Sequence, residues 1–398
     1  MQKSVSIPQL SATKASRLST RLRLGVCLLP LLLAACAGTS NSGATIAAAA
    51  APAGLTPHAN AQWFKLPTEA YRGKQDDIVF LDAQTGYYVN GAGKIFKTTD
   101  GGQAWSMLLH KPGTYFRTIG FVDEKTGFAG NIGTEYFPGV TDTTPLYKTV
   151  DGGQTWAKVE GLSGPEVKGL CAIDVLKTGF INAGQLDHRA IVHAAGRVGG
   201  PAFLMRSLDG GASWKSIDMN AHIAAITDVK FFDEMNGIVI GSDDANIERS
   251  HAVVVATRDG GQTWQRVYTS ARVNELAWKQ SFPSRNVGYV TVQNYNEDKT
   301  VSQRVVAKTV DGGKAWQEIP LADDYAVREF GVGFADELNG WVGASSTGFE
   351  THDGGKSWQR VVMGQAVNKI RIVPDGAHYT GYAIGVSVYK FATPPAPK

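Results

Sequence analysis

Six copies of one short pattern recur along this chain and constrain its fold more than any other feature. They run from Thr98 to Trp105, Thr149 to Trp156, Ser207 to Trp214, Thr257 to Trp264, Thr309 to Trp316 and Thr351 to Trp358. Each is a hydroxyl residue, one variable residue, Asp-Gly-Gly, two further residues and Trp. The aspartates, Asp100, Asp151, Asp209, Asp259, Asp311 and Asp353, stand roughly 42 to 58 residues apart, the period of a β-propeller blade. Such a unit cannot bury its apolar face alone and must stack on its neighbours.

The residue types explain the pattern. Asp-Gly-Gly between two β-rich runs is a hairpin turn, because Gly accepts positive φ at little steric cost. The carboxylate accepts backbone N–H groups across the turn, and the Ser or Thr two places earlier joins that local network. Trp105, Trp156, Trp214, Trp264, Trp316 and Trp358 open the following strands and are large enough to fill the gap between blades. Each copy therefore reads as a structural staple. A calcium site needs converging ligands, which six separate copies do not supply, so no metal and no cofactor is expected.

A fuller unit surrounds each copy. A first strand ends in Phe-x-Asp and is followed by a turn Gly: Phe80 to Asp82 with Gly86, Phe121 to Asp123 with Gly127, Phe231 to Asp233 with Gly237, Phe334 to Asp336 with Gly340. Ile173-Asp174 with Gly179 fits with one extra residue, and Phe282-Pro283-Ser284 with Gly288 fits with Ser in place of Asp. Each unit has four strands, alternating in polarity. After the sixth copy, residues 369–373, 381–384 and 388–391 add three more strands. Gln62 to Pro67 carries the Trp-x-x-aliphatic pattern of the missing fourth. The expectation is an all-β chain: one seven-bladed propeller over residues 61–392, closed by pairing this N-terminal strand with the C-terminal blade, which removes exposed edges. The 46 Gly and 9 Trp among 398 residues suit that class, and a net charge of only +3 implies no polyanion-binding surface. Neither nucleic-acid binding nor an oligomer is indicated.

The N-terminus reads as an address. Lys14, Arg17, Arg21 and Arg23 precede an apolar run from Leu24 to Ala35, a signal-peptide layout too short for a spanning helix. Leu33-Ala34-Ala35-Cys36 resembles the bacterial lipobox. That resemblance implies removal of residues 1–35, lipidation of Cys36 and export to the cell envelope. Ala37-Gly38 favours the outer membrane in a Gram-negative host. Residues 36–60, rich in Ala, Gly, Ser and Pro, read as a flexible tether, and residues 393–398 as a disordered tail. Cys171 is then the one thiol of the domain, within an apolar run that suggests burial and no chemistry.

Function is expected where the units are unequal. The stretches before copies two to five are long: residues 131–145, 185–202, 242–251 and 294–304. All four occupy the same topological place, opposite the Asp-Gly-Gly turns, and loops on a rigid scaffold carry function. Charge also gathers near the first strands: Arg117, Lys168, Lys279, Arg328, Lys369 and Arg371, with Asp76, Asp77 and Asp228 at similar places. A ring of basic residues at a channel mouth attracts an acidic partner. His188, His193, His222 and His251 lack metal-ligand spacing and read as surface residues.

The Asp-Gly-Gly-x-x-Trp copies identify the Asp-box, or BNR, repeat, found in sialidases, sortilin-type receptors, some glycanases and the photosystem II stability/assembly factor family. The chain most resembles the last of these over residues 60–392. That resemblance implies a non-catalytic, WD40-like propeller that binds a protein partner of a membrane complex through basic residues. The alternative is a glycan-binding or glycan-cleaving enzyme of the sialidase or glycosyl hydrolase type. No Arg-Ile-Pro tripeptide occurs, and no pair stands out among Asp76, Asp77, Asp187, Asp228, Asp243, Asp244, Glu248, Asp323 and Asp324, as paired-carboxylate glycosidases require.

Overall fold

A computed structural model describes residues 54–182 and 185–395. The expected signal peptide, Cys36 and the first part of the tether lie outside the described residues. Those residues contain no α-helix, and their strands form seven sheets, none closed on itself. The first sheet pairs Gln75–Phe80, Gly86–Asn90, Lys94–Thr98 and Ser106–His110 as an antiparallel meander. The second to sixth sheets repeat that order, starting at Phe116, Ala172, Ala225, Glu275 and Glu329. The seventh pairs Lys369–Asp375, His378–Ile384 and Val388–Ala392 with Gln62–Lys65 from the other end of the chain. Such a meander places two hairpin turns of each of the first six sheets at one end, the box end. The longer connections and the links between sheets lie at the other, the loop end.

The lead pattern of each unit has a steric cause. Phe80 lies opposite Gly86 in the ladder, and a Cβ on Gly86 would sit 2.6 Å from the Phe80 ring. The same closeness recurs at Gly127, Gly237, Gly288 and Gly340. The Asp between them caps the turn: Asp82 Oδ1 accepts the N–H groups of Gln84 and Thr85, both at 2.7 Å.

Each box is a closed local network. In the second, Thr149 Oγ1 donates to Asp151 Oδ1 at 2.8 Å, Gly153 N–H donates to Thr149 Oγ1 at 2.9 Å, and Thr155 N–H donates to Asp151 Oδ1 at 2.9 Å. Gly152 and Gly153 hold φ of 72° and 94°, a region that favours glycine. The Thr155 hydroxyl and N–H hold the Asp151 carboxyl down to about 2. Thr263 does the same for Asp259, and Ser357 for Asp353.

The boxes also join sheets. A cationic side chain on the third strand of one sheet donates to a box glycine carbonyl of the next: Lys97 to Gly152, Lys148 to Gly211, Arg206 to Gly260 and Lys308 to Gly354. Arg258 reaches Gly312 similarly, and Lys390 of the seventh sheet reaches Gly101 of the first. Five of the six box Trp rings stand edge-on to a lead Phe ring, as in Trp156 on Phe121 at 88°, while Trp214 stands on Phe128 of a second strand. An aromatic on a second strand stacks on the next sheet's lead Phe: Tyr87 on Phe121, Tyr289 on Phe334 and Tyr382 on Phe80. Seven apolar clusters lie between consecutive sheets, including one that packs Val373, Tyr382 and Val388 of the seventh against Ile78 and Phe96 of the first.

Several expectations are corrected. The third sheet has no turn at Asp174–Gly179. Its first two strands, Ala172–Asn182 and Gln185–Gly196, run on as one long hairpin. The extra residue breaks the turn spacing, and Asp174 reaches across instead, accepting Phe231 N–H at 2.8 Å and pairing with Lys230 at 3.0 Å. Most of the loop expected at 185–202 is therefore strand. His193, expected at the surface, is fully buried and stacks on Phe231 at 3.6 Å. It takes the place of Tyr87 and Tyr289, and burial pushes its pKa well below the usual value. The described end of the tether is also attached. Thr56–Pro57 pair in parallel with His378–Tyr379, and Thr393 Oγ1 donates to Ala59 O at 2.7 Å.

Candidate functional site

The loop end is built from the unequal connections. In the 131–145 stretch, the Asn131 amide donates to Asp142 O and Thr144 O at 2.8 and 3.1 Å. Gly133 holds φ 79°, and a Cβ there would lie 1.8 Å from Lys168 O, so the close crossing requires glycine. Arg197, 4% exposed, ties two loops together by donating to Thr134 O at 2.5 Å and to Gly200 O at 2.8 Å. In the 242–251 stretch, Asp244 clamps Arg249 through two bonds of 2.9 and 3.1 Å. Ser250 Oγ anchors it to Glu275 O at 2.8 Å.

These four loops converge. Phe137, Val198, Ile247 and Tyr295, one from each, pack in a single cluster with Leu276, Trp278 and Phe330 from first strands. Beside it lies a cavity of about 330 Å³, lined by Tyr136, Val198, Gly199, Ile247, Leu276 and Tyr295 among others. Its walls are mainly apolar, the usual character of a recognition pocket. Tyr136 keeps 41% of its surface exposed. A second cavity of 380 Å³ lies on the other side of this loop, lined by Tyr71, Tyr115 and Phe137.

Beneath the apolar cluster the first strands bring charged groups together. Arg117 pairs with Asp76 and Lys369 with Asp77, at 2.8 Å in the second case, and all four side chains are nearly inaccessible. Lys279 Nζ donates to Thr227 O at 2.7 Å, and Asp228 accepts Gln280 N–H at 3.2 Å. Lys74 lies between the Trp278 and Phe330 rings and donates to Asn368 Oδ1 at 3.2 Å. Burial, helped by the neighbouring Arg117 guanidinium, brings the Lys74 ammonium down to about 7. Burial opposes the Asp77 carboxylate, but Lys369 and Arg371 outweigh it and hold its pKa below the usual range.

The predicted basic residues thus divide. Arg117, Lys279 and Lys369 belong to a buried cluster of mixed sign and present no ring to solvent. Arg371 lies at the edge of that cluster, donating to Ile78 O at 3.1 Å. Lys168 is exposed and pairs with Glu166 at 3.0 Å. Arg328 alone stands beside the apolar pocket, its guanidinium stacked 4.5 Å from the Tyr295 ring centre. The correction is electrostatic: a charge on a buried first strand must be paired, so its neighbours are acids and carbonyls. The six box Asp and Trp residues lie at the opposite end.

The candidate carboxylates are engaged singly. Asp243 pairs with His251 at 3.2 Å, Asp244 with Arg249 and Asp324 with Arg360 at 2.6 Å, while Asp323 accepts the Ser302 hydroxyl. Glu248 is exposed; the Asp187 side chain lies outside the described residues. Among the described residues no group of three or more His, Cys, Asp or Glu side chains converges. Cys171 is buried and free, its sulfur accepting Val198 N–H at 3.3 Å. Sequence reasoning missed Tyr136, Arg197 and Lys74, because their roles depend on contacts with distant parts of the chain.

No family model matches this chain, and no curated protein does. Among solved structures it is similar to YCF48 bound to D1 peptide, with a TM-score of 0.57 at 18% identity, covering 86% of this chain and 99% of that one. YCF48 from Cyanidioschyzon merolae gives 0.56 at 16% identity, covering 83% and 98%. The WD40 propeller domain of Doa1 gives 0.53 at 12% identity, covering 84% and 98%. At such identities the likeness speaks to architecture, and the fold of this chain is an all-β propeller similar to that of YCF48.

Proposed function

We propose that this chain is a non-catalytic, lipid-anchored propeller that binds an extended segment of a protein partner at its loop end, as an assembly or stability factor of an envelope or membrane complex. The observation that carries the binding reading is the convergence of four loops on one pocket with half-exposed aromatic walls. Aromatic-lined pockets with polar rims are where protein interfaces concentrate their binding energy. The fold likeness to a protein determined with a bound peptide agrees with this reading. We read the seven sheets as seven blades closed into a ring. The cyclic succession of apolar clusters and the pairing of Gln62–Lys65 with Val388–Ala392 support that reading. The membrane anchor rests on the sequence alone, on the basic and apolar leader and its lipobox-like Leu33-Ala34-Ala35-Cys36.

Selection of binders from a random peptide library on the full chain tests the reading. The enriched peptides should lose binding to a Tyr136→Ala, Ile247→Ala variant and keep it on a box-end Thr155→Ala variant. Peptides indifferent to the loop-end change would overturn it. So would release of sugar from sialosides or polysaccharides that one carboxylate substitution abolishes. Incorporation of a labelled fatty acid, lost in Cys36→Ala, tests the anchor.

A further inference from the structure

Next to the apolar pocket, between the fifth and sixth sheets, lies a smaller cavity of 160 Å³. Its lining includes Asn294, Asn296, Arg304, Tyr325, Arg328 and Ser345, and no carboxylate. It is below the roughly 300 Å³ at which drug-sized ligand pockets begin, so it suits one functional group. We infer that this cavity recognises a carboxylate carried by the bound polypeptide segment, placed just beyond the side chain that fills the apolar pocket. The inference rests on the peptide-binding reading above and adds the chemistry of the partner.

Two guanidinium groups carry it. Arg304 is 2% exposed. Its donors go to main-chain carbonyls: Nε to Val327 O at 2.7 Å, Nη1 to Val301 O and Gln303 O at 2.9 and 3.0 Å, and Nη2 to Tyr325 O at 2.8 Å. A guanidinium has five N–H donors, so one on Nη2 remains. No carboxylate lies within ion-pairing distance of Arg304 among the described residues. Buried charges are ordinarily paired, and four carbonyls orient this one without neutralising it. Neither of the two nearby acids pairs with it. Asp324 is bound to Arg360 at 2.6 Å and to the Ala326 N–H, and Arg304 acts on it only from beyond ion-pairing distance. Glu329 is fully buried, neither of its oxygens has a hydrogen-bond partner, and burial pushes its carboxyl up to about 8. The second cation, Arg328, is exposed and held on the Tyr295 ring. Tyr295 itself lines the apolar pocket. A segment that fills that pocket and crosses Tyr295 brings its next groups to both guanidinium groups. Arginine binds carboxylates through paired, charge-assisted hydrogen bonds.

Four short peptides test this on the full chain by ligand-observed NMR titration. Acetyl-Leu-Asp-amide offers a side-chain carboxylate, and acetyl-Leu-Ala with a free C-terminus offers a terminal one. Acetyl-Leu-Asn-amide and acetyl-Leu-Ala-amide are the neutral counterparts. At least one carboxylate peptide should bind about tenfold more tightly than its counterpart, a difference near 1.4 kcal/mol. Which one does so distinguishes an acidic side chain from a chain terminus. Arg328→Gln, at an exposed position, should remove that preference while leaving leucine-dependent binding in place. Equal binding of acid and amide peptides, or a preference that survives Arg328→Gln, overturns the inference. If those peptides still lose binding on Tyr136→Ala, the peptide-binding reading stands and only the carboxylate site falls. Failure of all four peptides to bind overturns the inference and counts against both.

Discussion

The two ends of the sheets follow opposite rules. At the box end the same bonds recur: hydroxyl to Asp, glycine N–H to hydroxyl, and Lys or Arg to the next sheet's glycine carbonyl. At the loop end little repeats. Phe137, Val198, Ile247 and Tyr295 arrive from loops of different length and meet only in the folded chain. The box end is a mechanical seam, its Asp, hydroxyl and glycine groups bonded within and between neighbouring sheets. The loop end keeps exposed or partly exposed aromatic rings, an Arg304 guanidinium with no ion pair among the described residues, and three cavities. Repetition stabilises the scaffold, and departure from repetition leaves surface available for a partner.

The sharpest way to break this contrast is to remove a seam tryptophan. Trp214 is 3% exposed and sits in the cluster joining the second and third sheets. Trp214→Ala should cost about 3–5 kcal/mol in denaturant unfolding, the usual range for a buried Trp. A loss below about 1 kcal/mol would deny the wedge its role. Next in size is a single clasp. Arg206 donates to Gly260 O at 2.6 Å and Glu234 O at 3.0 Å. Arg206→Met keeps the apolar stem and should cost about 1–3 kcal/mol, as charged hydrogen bonds do. An unchanged unfolding midpoint would mean that the repeated clasps add nothing.

Acid sharpens the contrast further. Folded Asp151, Asp259 and Asp353 have pKa values held down to about 2, against roughly 3.9 in an unfolded chain. A depressed carboxyl contributes stability that is fully present above the unfolded value. That contribution is lost as pH falls from about 4 to about 2. Thermal unfolding across this window should show a falling midpoint, and the fall should be shallower in an Asp151→Asn, Asp259→Asn, Asp353→Asn variant. Equal slopes would remove the box carboxylates from the explanation.

The smallest effect on stability belongs to the loop end. Tyr136 is 41% exposed, so Tyr136→Ala should change unfolding by no more than about 0.5 kcal/mol. The same substitution should abolish binding of library-selected peptides. A large stability loss would make Tyr136 part of the scaffold and erase the distinction between the two ends.

Much of the scaffold was legible because its chemistry is local. The box donors and acceptors lie two to four residues apart, as from Thr149 to Asp151 and from Asp151 to Thr155. The lead Phe and its turn Gly lie six apart. The third sheet departed from the pattern because one inserted residue turned Asp174 from a turn cap into a cross-sheet acceptor. The place of the long connections was also readable, since it follows from strand order. The contents of the site were not. Arg117, Lys279 and Lys369 resemble surface cations in sequence. Their partners come from other units, Asp77 and Lys369 being 292 residues apart.

By itself, then, the sequence determined the repeating turns, the order of strands and the end at which unequal loops emerge. Each of these depends on backbone conformation and hydrogen bonds between residues close along the chain. Tertiary structure alone decided which charges are buried, that His193 is an aromatic wedge, and that four loops share one pocket beside Arg328. Those outcomes depend on desolvation and packing between segments far apart in sequence, and no local pattern records which neighbours a side chain will meet.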